Sequence, residues 1–273
     1  DVTFGGGGHS REIMSRLGEN GKLFAFDQDL DALKNAIDDE RFTLINENFR
    51  FIKRFLRFHG IKQVDGILAD LGVSSHQFDV AERGFSTRFD AELDMRMNQK
   101  GDISEYHVVN EYDEQDIARV LFDYGELKNA RAMANVIVTA RKDKEIRNSD
   151  ELKRVLAKFL PGHKSNKILA QIYQAIRIEV NQEMDVLKEF LEQSLEILKP
   201  GGRLSVISYH SLEDRLVKRF VKNGMFEGEP ERDFFGNFEV PFKTIEKLIV
   251  PSEEEIAINN RARSAKLRVA EKI

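Results

Sequence analysis

The sequence predicts an α/β protein, a doubly wound and mostly parallel sheet interrupted by an all-helical insert. Three observations carry this reading. Short apolar runs at Lys22–Asp27, Phe42–Asn46, Val64–Asp70 and Arg203–Ser208 alternate with helical patterns at the spacing of βαβ units. Residues 102–171 hold several helical patterns and no convincing strand. Lys199-Pro-Gly-Gly202 then separates a long apolar-striped helix from the next strand. The predicted organisation is a sheet domain over 1–101 and 172–273, with the helical insert at 102–171.

Taken in order, Asp1-Val-Thr-Phe4 is the end of a buried strand, and Gly5 to Gly8 form a turn of four consecutive glycines into a helix that ends near Leu17-Gly18. Glycines at such a junction let the backbone turn sharply and approach a ligand, and the first helical N–H groups face the same space. About twenty residues after Gly7 the next strand ends in Asp27, where a nucleotide-binding unit places the acid that holds ribose hydroxyls. Leu30, Leu33, Ala36 and Ile37 have helical spacing, and Phe49 follows the strand at Phe42–Asn46. A helix over about Arg50–His59 puts Ile52, Phe55 and Leu56 on one face and stops at Gly60. Strand Val64–Asp70 leads into Leu71-Gly-Val-Ser-Ser-His-Gln77.

In the insert, helices are predicted over Asp113–Tyr124, Ala130–Arg141 and Leu152–Leu160, the last capped by Ser149. One long helix carries Ile176, Val180, Met184, Leu187, Leu191, Leu195 and Leu198. Strand Arg203–Ser208 ends at Tyr209-His210-Ser211, and Phe242–Val250 with Ala265–Ala270 form a final antiparallel hairpin.

Ligands of open parallel sheets bind outside the carboxyl ends of the strands, where Gly5 to His9, Asp27, Phe49 and Asp70 to Gln77 all fall. The dinucleotide pattern G-x-G-x-x-G fails, because its third position holds Ser10 or Arg11. The P-loop pattern fails too, since Gly8 is followed by His9. A pyrophosphate is poorly served by such a loop. An adenosine-bearing cofactor without phosphate fits better, and S-adenosylmethionine is the common one.

The chain has 273 residues, 33% of them charged, and a net charge of −5, which does not suit a free-standing nucleic-acid binder. Its basic residues nevertheless cluster at Lys53-Arg54 with Arg57, Arg141-Lys142 with Lys144, His163-Lys164, and Arg261, Arg263, Lys266 and Arg268. Such patches can meet phosphates while the acidic remainder limits non-specific binding. No apolar run approaches the roughly 20 residues of a membrane span, so a cytoplasmic protein without membrane contact is expected. Asp1 lies inside a strand and is not methionine, so an N-terminal segment is expected to precede it. The chain has no cysteine. Disulfides and thiolate metal sites are excluded, no metal is expected, and methylation of cytosine C5 through a cysteine adduct is ruled out.

Seven ordered motifs span the chain: Thr3-Phe-Gly-Gly-Gly-Gly-His-Ser10, Asp70-Leu-Gly-Val-Ser-Ser-His-Gln77, Glu82-Arg-Gly-Phe-Ser86, Leu93-Asp-Met-Arg-Met97, Gln174-Ala-Ile-Arg-Ile178, His210-Ser-Leu-Glu-Asp-Arg215 and Asn260-Arg-Ala-Arg-Ser-Ala-Lys-Leu-Arg268. Together they resemble the RsmH (MraW) family, bacterial methyltransferases that modify a cytosine of 16S ribosomal RNA on its N4 amine in the decoding region. The resemblance implies a Rossmann-like class I S-adenosyl-L-methionine-dependent methyltransferase fold with an inserted all-helical domain. It implies 16S rRNA, within the small ribosomal subunit, as partner of a monomer or homodimer. By the same resemblance Gly7, Gly8 and His9 contact the cofactor at the glycine turn, Asp27 holds the ribose, Phe49 lies at the adenine, and Asp70 and Gln77 complete the set. Relatives often carry proline where this chain has His76, which implies a slightly looser loop and unchanged chemistry.

Amino-methyltransferases of DNA place an aromatic residue within the motif that here reads Asp70-Leu-Gly-Val73, so Phe85 or Tyr209 is the candidate to stack on the base. Asp70 is the candidate hydrogen-bond acceptor for the amine. His210 is a second candidate for base or orientation, with helix capping as the competing reading. Arg96, Arg177, Arg261 and Arg263 are expected at phosphates or bases, with the helical insert docking the RNA. A nicotinamide-dependent oxidoreductase and a non-catalytic RNA-binding factor are the competing classes.

Overall fold

The first four residues thread between two strands that are far apart in the sequence. In the computed structural model, which describes residues 1–230, 234–235 and 240–273, the Val2 N–H donates to Leu68 O at 2.8 Å and the Phe4 N–H to Phe26 O at 2.9 Å. Helix α1 (Gly8–Arg16) and strand β1 (Leu23–Phe26) follow, then β2 (Phe42–Ile45), α2 (Ile52–Phe58) and β3 (Val64–Asp70). Next come α3 (Ser75–Asp79), α4 (Glu105–Asn110), α5 (Glu114–Asp123), α6 (Ala130–Asp143), α7 (Ser149–Val155) and α8 (Ser165–Asn181). The chain closes with α9 (Glu183–Ile197), β4 (Leu198–Ser208), α10 (Ser211–Asn223), β5 (Phe242–Thr244), α11 (Glu253–Ile258) and β6 (Lys266–Lys272).

Strands β1 and β2 pair in parallel, as do β3 and β4, while β6 runs antiparallel to both β4 and β5. Residues 1–4 join these two sheets into one order, β2-β1-(1–4)-β3-β4-β6-β5. This is the predicted Rossmann-like α/β arrangement, with an antiparallel hairpin added at one edge.

Contacts divide the chain into two units, Asp1–Gly72 with Met184–Ile273, and Val73–Glu183. The first buries Phe26, Ile67, Leu204 and Val206 from the strands against Leu56, Phe190, Leu191 and Phe220 from the helices. The second is helical and buries Met95, Leu121, Met133, Ile137, Leu152 and Ile172. Residues 73–101 and 172–183, assigned by the sequence reading to the sheet domain, group with this helical unit. Phe85, Leu93 and Met95 enter its core, and the Glu105 N–H donates to Asp94 O at 2.8 Å. Among the described residues no helix is long and apolar enough to cross a membrane.

Several local expectations need correction. The single long helix is two helices, α8 and α9, because Gln182 adopts the left-handed conformation (φ 50°, ψ 36°). A non-glycine residue there gives no sign in the sequence. The Pro200-Gly-Gly202 segment does not precede β4 but bulges within it, since Val64 faces Leu198 while Gly66 already faces Arg203. The helix predicted from Leu30 is a 3-10 helix over Leu30–Asn35, capped by the Asp29 carboxylate. Asn148, not Ser149, caps α7, and Ser149 is fully buried with its hydroxyl donating to Ala91 O. The terminal hairpin forms as predicted between β5 and β6, with the short α11 in its connection.

Glu105 lies in the first turn of α4 with 0% exposure, and neither of its carboxyl oxygens meets a hydrogen-bond partner among the described residues. Burial, with the nearby Asp94 charge, pushes its carboxyl up to about 8 from the ordinary 4.5. The folded chain therefore keeps a proton that the unfolded chain releases, so this group's contribution is fully favourable below pH 4.5 and is lost progressively as the pH rises to about 8. Glu105→Gln is expected to flatten the fall in urea midpoint across that window; equal slopes for both chains would contradict the assignment.

Candidate functional site

The glycine turn is held from several sides. The Gly5 N–H donates to Asp27 Oδ2 at 2.7 Å, and the Asp29 N–H donates to Asp27 Oδ1 at 2.8 Å. The Arg11 guanidinium donates to Gly6 O at 2.7 Å and to Asn35 O at 2.9 Å, while the Asn35 side-chain amide donates to Gly5 O at 3.1 Å. Gly7 has φ +76°, and a Cβ there would lie 2.6 Å from Arg11 Nη1 and 2.8 Å from Phe4 Cζ, so only glycine fits. A Cβ on Gly6 or Gly8 would meet nothing within 4 Å, which leaves open space beside the turn.

Gly7 is the N-cap of α1 and offers no side-chain acceptor, and the first turn contains no acid. The first N–H groups of the helix are therefore left to a ligand or to water. The Asp27 carboxylate bonded to the turn would repel a pyrophosphate and suit a hydroxylated sugar. These residues fit the adenosine portion of a phosphate-free cofactor.

Asp70 ends β3 at the same side of the sheet. Its N–H donates to Thr3 Oγ1 at 2.7 Å, and its Oδ1 accepts the Tyr209 hydroxyl at 2.9 Å. Oδ2 has no hydrogen bond among the described residues and lies 3.7 Å from His9 Nδ1, with side-chain exposures of 28% for Asp70 and 49% for His9. Burial raises the Asp70 carboxyl above its ordinary range, against the lowering effects of the Tyr209 hydrogen bond and of His9. Burial raises the Tyr209 hydroxyl as well, and the adjacent Asp70 charge adds to it. Tyr209, expected from sequence to stack on a base, thus spends its hydroxyl on Asp70.

Phe49 is half-buried and presents an edge-on contact to Phe190 at 5.2 Å between centroids. Asn48 caps its turn and also donates to the Gln28 side chain at 2.9 Å, next to Asp27. The structure therefore gathers Gly7, Gly8, His9, Asp27, Asp70 and Tyr209 around the ends of adjacent strands, with Phe49 beyond β2.

Other candidates have structural partners. His210 is the N-cap of α10, where its ring takes part in a capping box with Glu213, and its side chain is 8% exposed. The geometry thus favours capping over proton transfer for His210. Gln77 is 4% exposed in the helical unit, with Oε1 accepting the Ser74 N–H at 3.0 Å to close another capping box.

Phe85 is 6% exposed and lies in the helical core with the Arg83 guanidinium over its ring, so it is a packing residue rather than a free stacking face. Arg96 is paired with Asp94 at 2.7 Å and donates to Gly101 O at 2.9 Å. It lines a cleft of about 470 Å³ together with Tyr106, Glu145 and Arg147. Arg177 forms a two-pronged pair with Glu183 at 2.8 and 3.0 Å. Arg261 and Arg263 are exposed on the 3-10 helix before β6.

The sequence reading did not single out Thr3, Arg11 or Asn35 as bracing groups, or the Tyr209–Asp70 pairing. Thr3 lies within a quoted motif, but Asn35 carries no local signal.

Residues 1–273 match the MraW methylase family. A protein of Flavobacterium johnsoniae named ribosomal RNA small subunit methyltransferase H is 82% identical over 273 residues, covering 100% of this chain and 90% of its own length. The protein of the same name from Flavobacterium psychrophilum is 75% identical over 272 residues, 100% of this chain and 94% of its own length. That from Bacteroides thetaiotaomicron is 56% identical over 273 residues, 100% and 90% respectively. With that match running the length of both units and identities this high, the chain belongs to the MraW methylase family.

Proposed function

We propose that this protein transfers a methyl group from S-adenosyl-L-methionine to the N4 amine of a cytosine in the decoding region of 16S rRNA. The reading is supported by the name shared by its relatives, ribosomal RNA small subunit methyltransferase H. The single observation that carries the chemistry is the pair of strand-end carboxylates, Asp27 on the glycine turn and Asp70 beside His9 and Tyr209.

In this reading Asp27 accepts the ribose hydroxyls, the open glycine turn admits the amino-acid portion, and Phe49 meets the adenine. When bound, S-adenosyl-L-methionine supplies a sulfonium-activated methyl group. A cytosine amine is a weak nucleophile because its lone pair is delocalised into the ring. Asp70 Oδ2 counters this by accepting a hydrogen bond from the amine as the nitrogen pyramidalises, and it takes up the proton that the methylated nitrogen must release. Tyr209 fixes the carboxylate through Oδ1 and helps to keep it ionised despite its burial. His210 supports Tyr209 indirectly, because the Tyr209 N–H donates to Glu213 Oε2 at 2.8 Å within the same cap.

The RNA is proposed to meet the helical unit at the cleft bearing Arg96 and the sheet unit at Arg261 and Arg263. Arg177 acts in this scheme by positioning Glu183. An acidic chain with small basic patches favours a folded ribosomal particle, within the cytoplasm, over naked RNA.

Incubation with labelled methyl donor and small subunits, followed by mass spectrometry of the nucleosides, should yield N4-methylcytidine; label on another atom would overturn the proposed acceptor. Asp70→Asn is expected to lower kcat by at least about 100-fold while donor affinity stays within about tenfold. Tyr209→Phe removes a bond that stabilises the ionised carboxylate, so the acid limb of the pH–rate profile should move to higher pH. Calorimetry on Asp27→Ala should show donor affinity reduced about 10- to 100-fold, and undiminished binding would remove Asp27 from the site.

A further inference from the structure

Helix α2 carries three cations, a fourth precedes it, and the structure treats them in two ways. Arg50, just before it, pairs with Glu189, and Lys53 pairs with Glu196. Arg54 and Arg57 are exposed, and neither side chain has an ion pair or hydrogen bond among the described residues. In a chain of net charge −5, two guanidiniums left without acids on one short helix form a local positive surface.

The same face carries exposed rings. Phe58 is 82% exposed and Phe51 40% exposed, whereas Ile52 and Leu56 point into the core at 3% each. Phe51, Arg54 and Phe58 are spaced three and four residues apart, so rings and guanidinium alternate along one stripe. The only ring contact of Phe58 among the described residues is edge-to-face with His59 at 5.3 Å. Helix-dipole complementarity accounts for an arginine in the last turn but not for a bare phenylalanine beside it. Two guanidiniums without an acid partner among the described residues, in a chain of net charge −5, are complementary to a polyanion. Guanidiniums that grip phosphates, next to rings that stack on bases, are the recognition chemistry of RNA with unpaired nucleotides.

We propose that the outer face of α2, centred on Arg54, Arg57 and Phe58, is a second docking surface for the small-subunit RNA. It rests on the proposed RNA substrate. Phe55 packs on Phe26 beside Asp27 and His59 on Phe24, so α2 runs away from the Asp27 end and Phe58 lies toward the side where β3 begins, after Gly60. The role of the face is to anchor RNA away from the methyl-transfer site, raising affinity without touching the chemistry.

The test uses the full chain with small ribosomal subunits and, in parallel, with deproteinised 16S rRNA, and binding is measured across a salt series. Arg54→Gln with Arg57→Gln is expected to weaken binding at least about tenfold and to reduce the slope of log affinity against log salt by about 1.5 to 2. Phe58→Ser should weaken it about 5- to 20-fold with an unchanged slope, and Phe58→Tyr should restore it. In methylation assays KM for RNA should rise in parallel while kcat and donor affinity stay unchanged.

Binding within twofold of the parent in every variant would overturn the proposal. So would crosslinking of Phe58 in the bound particle to a ribosomal protein and not to RNA, which would assign the face to a protein. A dimer dissociated by Phe58→Ser in sedimentation would assign it to a second copy. RNA held through this face by a chain that makes no methylated nucleoside would sink the proposed reaction alone, and methylation by a chain whose variants bind normally would sink the docking surface alone.

Discussion

The hydrogen bond from the Gly5 amide to the Asp27 carboxylate ties the first turn of the chain to the end of β1, and the rest of the site is built around it. Residues 1–4 are extended between β1 and β3, so whatever fixes that segment fixes both neighbouring strand ends. Thr3 takes the Asp70 N–H on one side while Gly5 takes Asp27 on the other. Two carboxylates are thereby held across a single strand, about two strand spacings apart or roughly 10 Å. The left-handed Gly7 then turns the chain into α1, and Arg11 and Asn35 occupy the carbonyls of the turn. With those carbonyls satisfied, the N–H groups are what the turn offers to a ligand.

Asp70 shows how a strand-end acid is kept useful. Burial alone favours the protonated form, which would make the carboxyl a poor acceptor. The Tyr209 hydroxyl opposes that tendency and occupies one oxygen, so the second is left beside His9. Glu105 in the helical unit shows the other outcome: among the described residues no donor reaches its carboxyl, and burial favours its neutral form. The two acids differ in exposure, 28% for the Asp70 side chain against 0% for Glu105, and in the partnering hydroxyl that only Asp70 has.

Exposed charge is divided in a similar way. Arg96 and Arg177 have acids at hydrogen-bond distance, so part of their charge is spent within the helical unit. Arg54, Arg57 and Arg263 are exposed and have no acid partner among the described residues. A linear count of basic clusters treats all of these alike, because the acid that neutralises an arginine can be distant in the sequence, as Glu189 is from Arg50.

The sequence by itself determined the α/β class, the glycine turn, the strand-end positions of Asp27 and Asp70, and the existence of a helical insert. These depend on local periodicity and on residues that only certain backbone shapes accept. It also carried the motifs that mark the family. The tertiary structure alone decided where the long apolar helix breaks, because Gln182 in a left-handed conformation breaks no composition rule. It moved 73–101 into the helical unit, gave His210 a capping role and buried Phe85 in a core. It joined Tyr209 to Asp70 across 139 residues of chain. Pairings of that kind are set by which strands become neighbours, and strand order is a property of the folded sheet that no local stretch encodes.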